Sequence, residues 1–576
     1  MNISSVRYLA PLCVAAGAIY AGDASAAVKL SESFNNAYYN PAADGEGVVT
    51  TITPLGNGMH NFYGALYTYD EAGAPTWLII TGNFLENQFE NAEVPVLAFE
   101  GPVPASLVGG APVGTATVTI NSCNSISFNL DMSEDSGFAD MDLGALQPVA
   151  GANKQCAYKT EFEGCPDFAS DFGVIPRACT LTGVYNEDIV LTNDTTWVLD
   201  GLVRIGDYNE NPGTITIEPG TTIIGAGQTT DYLYVSPGSK IFANGTPTAP
   251  IVLTSPNDGF IAGTTPNPGD LGGLVVSGNA PCNAAPCASE FDQTQSFGGD
   301  DPFDSSGEIS YFQVRYAGIE FQPNAEVNSF TFQGVGSGTT VHHLQAYRGQ
   351  DDGVEFFGGT VNVKYMVVTE GGDDAVDWDL GYSGNLQYGL VIHGEGFGED
   401  FGIEGASNPD SFDADPRATP TVANYTFLGN GNGDSGILFK DGSGGRIFNT
   451  IVSGFPTGCI EWDDAPATYN AAGTPAAPNA DVSAFNGVII DCDVDFVDDD
   501  AAPFSVADYF GSSEFTGNEA VDPMLNIYLP MPGSPALSGG VADTSNQFID
   551  ATSYRGGFDG SSDWTVGWTH QVTGGE

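Results

Sequence analysis

From Gly213 onward, apolar residues alternate with polar ones over short runs that stop at Gly, Asn, Asp or Pro. Gly213-Thr214-Ile215-Thr216-Ile217 passes through Glu218-Pro219-Gly220 into Thr221-Thr222-Ile223-Ile224. Tyr232-Leu233-Tyr234-Val235, then Lys240-Ile241-Phe242-Ala243, then Ile251-Val252-Leu253 repeat the form. A period of two marks a half-buried strand, and Pro-Gly between two such runs marks a tight turn. Helical periodicity is almost absent up to about residue 520. Short strand-turn-strand units cannot bury their apolar faces alone, so they stack coil upon coil. The pattern predicts an all-β chain whose main body, residues 213–520, is a right-handed single-stranded parallel β-helix. Residues 166–212 are read as a linker and N-terminal cap, and residues 521–576 as a C-terminal capping segment. A separate alternation in Gly47-Val48-Val49-Thr50-Thr51-Ile52-Thr53 and Thr115-Ala116-Thr117-Val118-Thr119-Ile120 predicts a small β-rich module over residues 27–165.

The first residues set the expected compartment. Arg7, an apolar stretch from Leu9 to Tyr20 and the small-residue motif Ala24-Ser25-Ala26 read as a signal peptide over residues 1–26, with the mature chain starting near Ala27. The apolar stretch is too short to span a bilayer, and no later run approaches the roughly 20 apolar residues of a membrane helix. The protein is expected to be exported, to the cell surface, the medium or the periplasm. Cys13 leaves with the signal, and the even set Cys123, Cys156, Cys165, Cys179, Cys282, Cys287, Cys459 and Cys492 is then expected to form disulfides. Sequence does not fix connectivity; closeness along the chain favours joining them in successive pairs.

Charge narrows the partners. The chain carries 73 acidic against 14 basic residues, which argues against nucleic acid. Its hydrophobic content of 41% and aromatic content of 11% are those of a folded protein. No Cys-x-x-Cys or Cys/His cluster suggests zinc. Acid-rich turns suit calcium, which takes oxygen ligands.

Two resemblances add to this reading. Tyr39-Asn40-Pro41, Gly45-Glu46-Gly47, Tyr67-Thr68-Tyr69-Asp70 and Gly73-Ala74-Pro75-Thr76-Trp77-Leu78 resemble a β module of secreted proteobacterial proteins. That module brings no known chemistry; Tyr39, Tyr67, Tyr69 and Trp77 are read as either an aromatic binding face or packing residues. Over residues 180–570 the chain resembles a family of bacterial secreted or cell-surface β-helix proteins of unassigned activity. The opening coils, Asp270-Leu271-Gly272-Gly273-Leu274, Asp351-Asp352-Gly353-Val354-Glu355-Phe356-Phe357, Asp373-Asp374-Ala375-Val376-Asp377-Trp378-Asp379 and the ending Asp563-Trp564-Thr565-Val566-Gly567-Trp568 carry it.

The chemistry concentrates between Gly349 and Asp464. Acidic turns recur there at Asp351-Asp352, Asp373-Asp374, Glu399-Asp400 with Glu404, Asp434 and Glu461-Trp462-Asp463-Asp464, at about one coil apart. Val354, Phe356, Val376 and Trp378 share one strand parity, while Glu355, Asp377 and Asp379 share the other, so carboxylates should form a ladder outside the core. Three readings stay open. Short acidic side chains can simply cap turn amides. Alternatively, calcium is held by Asp351, Asp352, Asp373, Asp374, Asp377, Asp379, Asp400 and Glu404. In the third reading Asp352, Asp373, Asp374 and His393 are catalytic, in a layout that resembles polygalacturonase-type β-helices over residues 350–394. Against the last, Gln350-Asp351-Asp352-Gly353 departs from that family's Asn-Thr-Asp-Gly. Its Arg-x-Lys motif also has no counterpart, Lys440 and Arg446 lying too far along. Arg348 is the candidate base for a calcium-dependent lyase, or a salt-bridge partner of the acids. His342 and His343, adjacent on a strand, are expected to point to opposite faces and not to share a metal. The expected function is a non-enzymatic, calcium-binding surface β-helix that engages a glycan, a cell-surface component or another protein. The alternative is a polysaccharide hydrolase or lyase using the carboxylates of residues 350–404.

Overall fold

The computed structural model describes residues 37–572, except 40–46, 57–58, 70–74, 86–92, 99–110, 123–124, 134–135, 137, 149–163, 176, 229, 262, 290–294, 323–324, 395–397 and 399. The signal segment, Cys123, Cys156 and Glu399 lie outside the described residues.

The first eight strands are β1 (Ala37–Tyr39), β2 (Gly47–Gly56), β3 (Met59–Tyr69), β4 (Pro75–Leu85), β5 (Glu93–Ala98), β6 (Ala111–Ser122), β7 (Ser125–Met132) and β8 (Met141–Pro148). Each pairs antiparallel with the next, and Tyr38 opposite Pro148 closes β8 onto β1 as a barrel. Alternate residues such as Tyr38, Val48, Phe62, Leu66, Leu78 and Val96 fill its interior, as the period of two requires.

From Ala178 to Ala520 the main-body strands pair in parallel with strands about one coil away, and each coil contributes to three faces. This is a parallel β-helix. Pro-Gly turns open it where the sequence places them: Gly220 and Gly238 have φ of 80° and 83°, a conformation that glycine adopts without a Cβ clash. In the middle coils two faces come from single long strands. Gly307–Arg315, Thr340–Tyr347, Asn362–Thr369, Asn385–Ile392 and Thr421–Leu428 pair in succession. Each bends at one left-handed residue: Tyr311, His343, Tyr365, Tyr388 and Asn424, with φ between 48° and 66°.

The third face runs through Phe330–Gln333, Val354–Phe357, Val376–Asp379, Ile403–Gly405, Ser435–Phe439 and Gly458–Trp462. Its register aligns Phe330, Val354, Val376, Ile403, Ile437 and Ile460 in one inward row. The next inward row is Phe332, Phe356, Trp378, Gly405, Phe439 and Trp462. Gly405 belongs there because a Cβ would stand 2.7 Å from the Trp378 indole. The indole fills that space and donates from Nε1 to Ser443 Oγ at 3.0 Å.

Phe168 stacks on Trp197 at one end of the stack, where Cys165 is joined to Cys179. Val506, Tyr509, Phe510 and Phe515 pack on the core at the other, and the Tyr509 hydroxyl donates to the carbonyls of Ala472 and Ser483. Cys282–Cys287 and Cys459–Cys492 are also bonded. The segment after residue 521 returns toward earlier coils. It runs back along the flank, where Asp550 receives a bond from Lys364, His570 N donates to Gln345 and Gln313 donates to the Trp568 carbonyl. Among the described residues no helix is long and apolar enough to cross a membrane.

Because Trp378 is fully buried between Phe356 and Gly405, Trp378→Ala should cost about 3–5 kcal/mol through lost burial and a residual cavity. Denaturant unfolding followed by circular dichroism checks this.

Candidate functional site

The site forms where coils enter the third face. The register that stacks Val354 on Val376 and Ile403 also stacks the turns before them, through Gly353 N to Asp374 O at 2.8 Å and Ala375 N to Phe401 O at 3.0 Å. Asp352 and Asp374 therefore occupy the same place in successive coils. Each caps the next turn: Asp352 Oδ1 accepts from Asp374 N at 3.0 Å, and Asp374 Oδ1 accepts from Phe401 N at 2.7 Å. Turn capping is thus part of what these acids do.

The strand residues complete the arrangement. Glu355, Asp377 and Glu404 are in register on the outward parity of three successive strands. Three groups of carboxylate oxygens result, each with its members within 4.8 Å of one another: Asp351, Asp352 and Asp373; Asp352, Glu355 and Asp377; Asp374, Asp377 and Glu404. Asp352 and Asp377 each belong to two groups, so the three form a continuous run along the stack. Asp351, Asp352, Glu355 and Asp374 are at most 8% exposed.

Asn328 Nδ2 donates to Glu355 Oε2, and Lys440 Nζ meets Glu404 Oε1 at 2.8 Å. Burial opposes the Lys440 charge, but attraction to Glu404 outweighs it and raises the lysine pKa. Pairing brings Leu438 beside Glu404 and Lys440 to the end of the ladder. The carboxylates titrate accordingly. Burial raises Asp352 well above the ordinary range, reinforced by Asp374, Asp377, Asp351 and Glu355. Burial likewise raises Asp374, with Glu404, Asp377 and Asp373 adding and the Phe401 amide opposing. Buried like charges either take up protons or recruit a cation.

The remaining candidates lie elsewhere. Asp379 stacks on Phe357 rather than on an acid, accepts from Leu380 N at 2.6 Å and is pushed up to about 6, chiefly by burial. Asp400 is exposed and, like Asp379, is not a member of the three groups. His393 is buried and edge-on to Phe455, with ring centroids 5.1 Å apart. Burial lowers it to about 4, partly offset by the carbonyls of Asn432 and Phe401, with no carboxylate entering. Arg348 pairs with Glu370, at a strand end one coil on, and its guanidinium lies 5.2 Å from the Tyr347 ring centroid. Burial works against its charge, yet the bond to Glu370 prevails and holds the proton more tightly than usual, which does not suit a proton acceptor. Of the residues in the polygalacturonase-like reading, Asp352 and Asp374 are buried and cap successive turns, Asp373 is half-buried beside Asp351 and Asp352, and His393 packs on Phe455.

The expectation for His342 and His343 is corrected. They do not point apart, because His343 has φ 56°. The bend turns its ring so that the two Nδ1 atoms lie 2.9 Å apart, and His343 stacks between Tyr311 and Tyr365 at 4.1 and 4.3 Å. Burial lowers both histidines, His343 to about 3.

The acid run offers oxygen donors alone, the donor set of a hard divalent cation. Glu355 was not among the expected ligands, although its parity with Asp377 one coil on was the signal that could have found it.

Residues 183–502 match the family model of the pectate-lyase-like β-helix domain. The chain belongs to that family. The acid run, residues 351–404, lies inside the pectate-lyase-like domain, whereas the barrel lies outside the matched span. No curated protein was found to match the chain. Among solved structures, the catalytic unit of the thermostable GH87 α-1,3-glucanase from Streptomyces thermodiastaticus strain HF3-3 is similar at 11% identity, covering 83% of this chain and 89% of that one, with a TM-score of 0.26. At that score the likeness carries no argument about activity.

The raised pKa values of Asp352 and Asp374 define a pH dependence. A carboxylate whose pKa is higher in the folded state contributes stability that is complete below its unfolded value, about 3.9, and lost as pH rises through the folded value. The buried histidines act in the opposite sense below about pH 6.5. The isosteric change Asp374→Asn separates the two. In chelator, the variant should be more stable than the parent, by a margin that grows as pH rises from about 4, read as melting temperature against pH.

Proposed function

We propose that this protein is an exported, disulfide-bonded surface β-helix that binds calcium in its acidic turns and acts by engaging a glycan or cell-surface component. The observation that carries the reading is the continuous run of buried and half-buried carboxylates between Asp351 and Glu404, with Lys440 bonded at one end. Calcium suits it better than magnesium, which dehydrates reluctantly and keeps several waters. One ion between coils would replace repulsion by shared coordination and lock neighbouring turns together. Export is supported by the bonded cysteines, since disulfides persist in oxidising compartments. A binding role is favoured over catalysis because Asp352 and Asp374 are buried and committed to amides. An inverting hydrolase instead keeps its carboxyl groups roughly 6.5–9.5 Å apart with water between them.

Calcium at a hundredfold excess over its dissociation constant should stabilise the protein by about 2.7 kcal/mol, visible as a higher melting temperature that chelator reverses. Asp377→Asn, which weakens two of the three oxygen groups, should remove most of the gain. An unchanged melting curve with and without calcium would sink the metal assignment. Release of reducing sugar or unsaturated product from acidic polysaccharides, abolished by Asp374→Asn, would establish the enzyme reading instead.

A further inference from the structure

The barrel carries a feature that the acid ladder does not use. Tyr39 pairs with Gly47, Gly47 with Tyr67 and Tyr67 with Trp77, so these residues form one row across β1, β2, β3 and β4. Their chain neighbours Tyr38, Val48, Leu66 and Leu78 are buried inside the barrel, so the row faces outward. Tyr39 is 44% exposed, Tyr67 51%, and Tyr69, two residues along β3, 43%. Trp77 is half-buried beside them. The alternative use of these aromatics, packing in the barrel core, does not describe the three tyrosines.

The row has a gap at its second position. A Cβ on Gly47 would stand 2.4 Å from the Tyr38 carbonyl, so the close approach of β1 keeps that place free of a side chain. Tyr39 and Tyr67 therefore flank a bare strip of backbone, two strand spacings or about 10 Å apart. The charge pattern identifies the ligand class. In a chain with 87 charged residues by the counts of 73 acidic and 14 basic, β1 to β4 contain no Asp, Glu, Lys or Arg. Within these strands an anionic polymer would find no Lys or Arg, and it would be repelled by Glu46 and Asp70, which border the strands in the chain and lie outside the described residues. Electron-rich ring faces and phenolic hydroxyls, by contrast, match a ligand with polarised C–H faces and many hydroxyls.

We infer that the outer face of β1 to β4 binds a neutral saccharide, with Tyr39, Tyr67 and Tyr69 stacking on its sugar rings over the Gly47 strip and Trp77 bordering them. This rests on the glycan part of the proposed function and moves recognition from the β-helix to the barrel. The acid ladder then supports the body of the molecule while the aromatic face makes the contact.

The test uses the full chain in pull-down with insoluble cellulose, xylan, β-1,3-glucan and starch, each with calcium and with chelator. The expected result is retention on at least one polymer, weakened about tenfold or more in Tyr39→Ala/Tyr67→Ala and kept in Tyr67→Trp. Melting curves show whether the double variant folds. Independently of folding, hydroxyl-radical footprinting of the unmutated protein should show Tyr39, Tyr67 and Tyr69 protected by the retained polymer. Retention with those tyrosines unprotected, or undiminished in a folded double variant, overturns this site while leaving glycan binding elsewhere on the molecule. Failure of the unmutated chain to bind any of the four overturns the neutral-saccharide face. Binding to polygalacturonate alone does the same, but upholds the broader glycan reading.

Discussion

In-register parallel pairing is the constraint on which the main body depends. It places residues from equivalent positions directly over one another, one strand spacing or about 4.8 Å apart. Where the position is apolar the stacking is favourable and cumulative, as in the row from Phe330 through Val354, Val376, Ile403 and Ile437 to Ile460. Where the position is acidic the same geometry brings like charges together, as with Glu355, Asp377 and Glu404. Core and candidate site are thus two consequences of one register, and a slip by one residue would exchange them.

That dependence explains what could be read before the structure. The separation of Val354, Phe356, Val376 and Trp378 from Glu355 and Asp377 follows from a period of two. The grouping of Asp351, Asp352, Asp373 and Asp374 follows from coil length. Both are local properties of the chain. His343 was misjudged because alternation assumes extended backbone, and nothing in Val341-His342-His343-Leu344 announces a left-handed residue. The same bend recurs at Tyr311, Tyr365, Tyr388 and Asn424, so coil shape imposes it rather than residue type. The Lys440–Glu404 contact had no local signal, because the span from Ile403 to Ile437 is longer than that from Val354 to Val376 and hides their closeness in space. The path of the C-terminal segment depends on long-range bonds, such as those to Gln345 and Lys364, which leave no periodic signal.

The flank segment bears on rigidity. Backbone groups near Asp550, Trp568 and His570 are satisfied by Gln387, Gln313 and Gln345, which belong to different coils. A stack whose coils touch only their neighbours can fray from either end. A strand of chain bonded to several coils couples them, and it does so on a different flank from the acidic turns. Polar coupling on one side and carboxylate repulsion on the other act in opposite directions on the same coils.

Turn capping by itself does not account for the charge. The position held by Asp352 and Asp374 is occupied by Asn328 in the coil before and by Ser435 two coils beyond Asp374, and the helix continues through both. A neutral amide oxygen accepts from a backbone N–H without adding repulsion, so Asn at 352 and 374 would serve the caps at Asp374 N and Phe401 N equally well. Burying charged carboxylates beside Glu355, Asp377 and Glu404 instead carries a desolvation cost and a Coulombic one. The cost is confined to the coils in which strand and turn acids meet. Lys440 offsets it at the Glu404 end, where Leu438 replaces the acid of the preceding strands and the run stops. The proposed cation shared between coils would account for both the presence of the charge and its boundaries, which the capping role leaves unexplained.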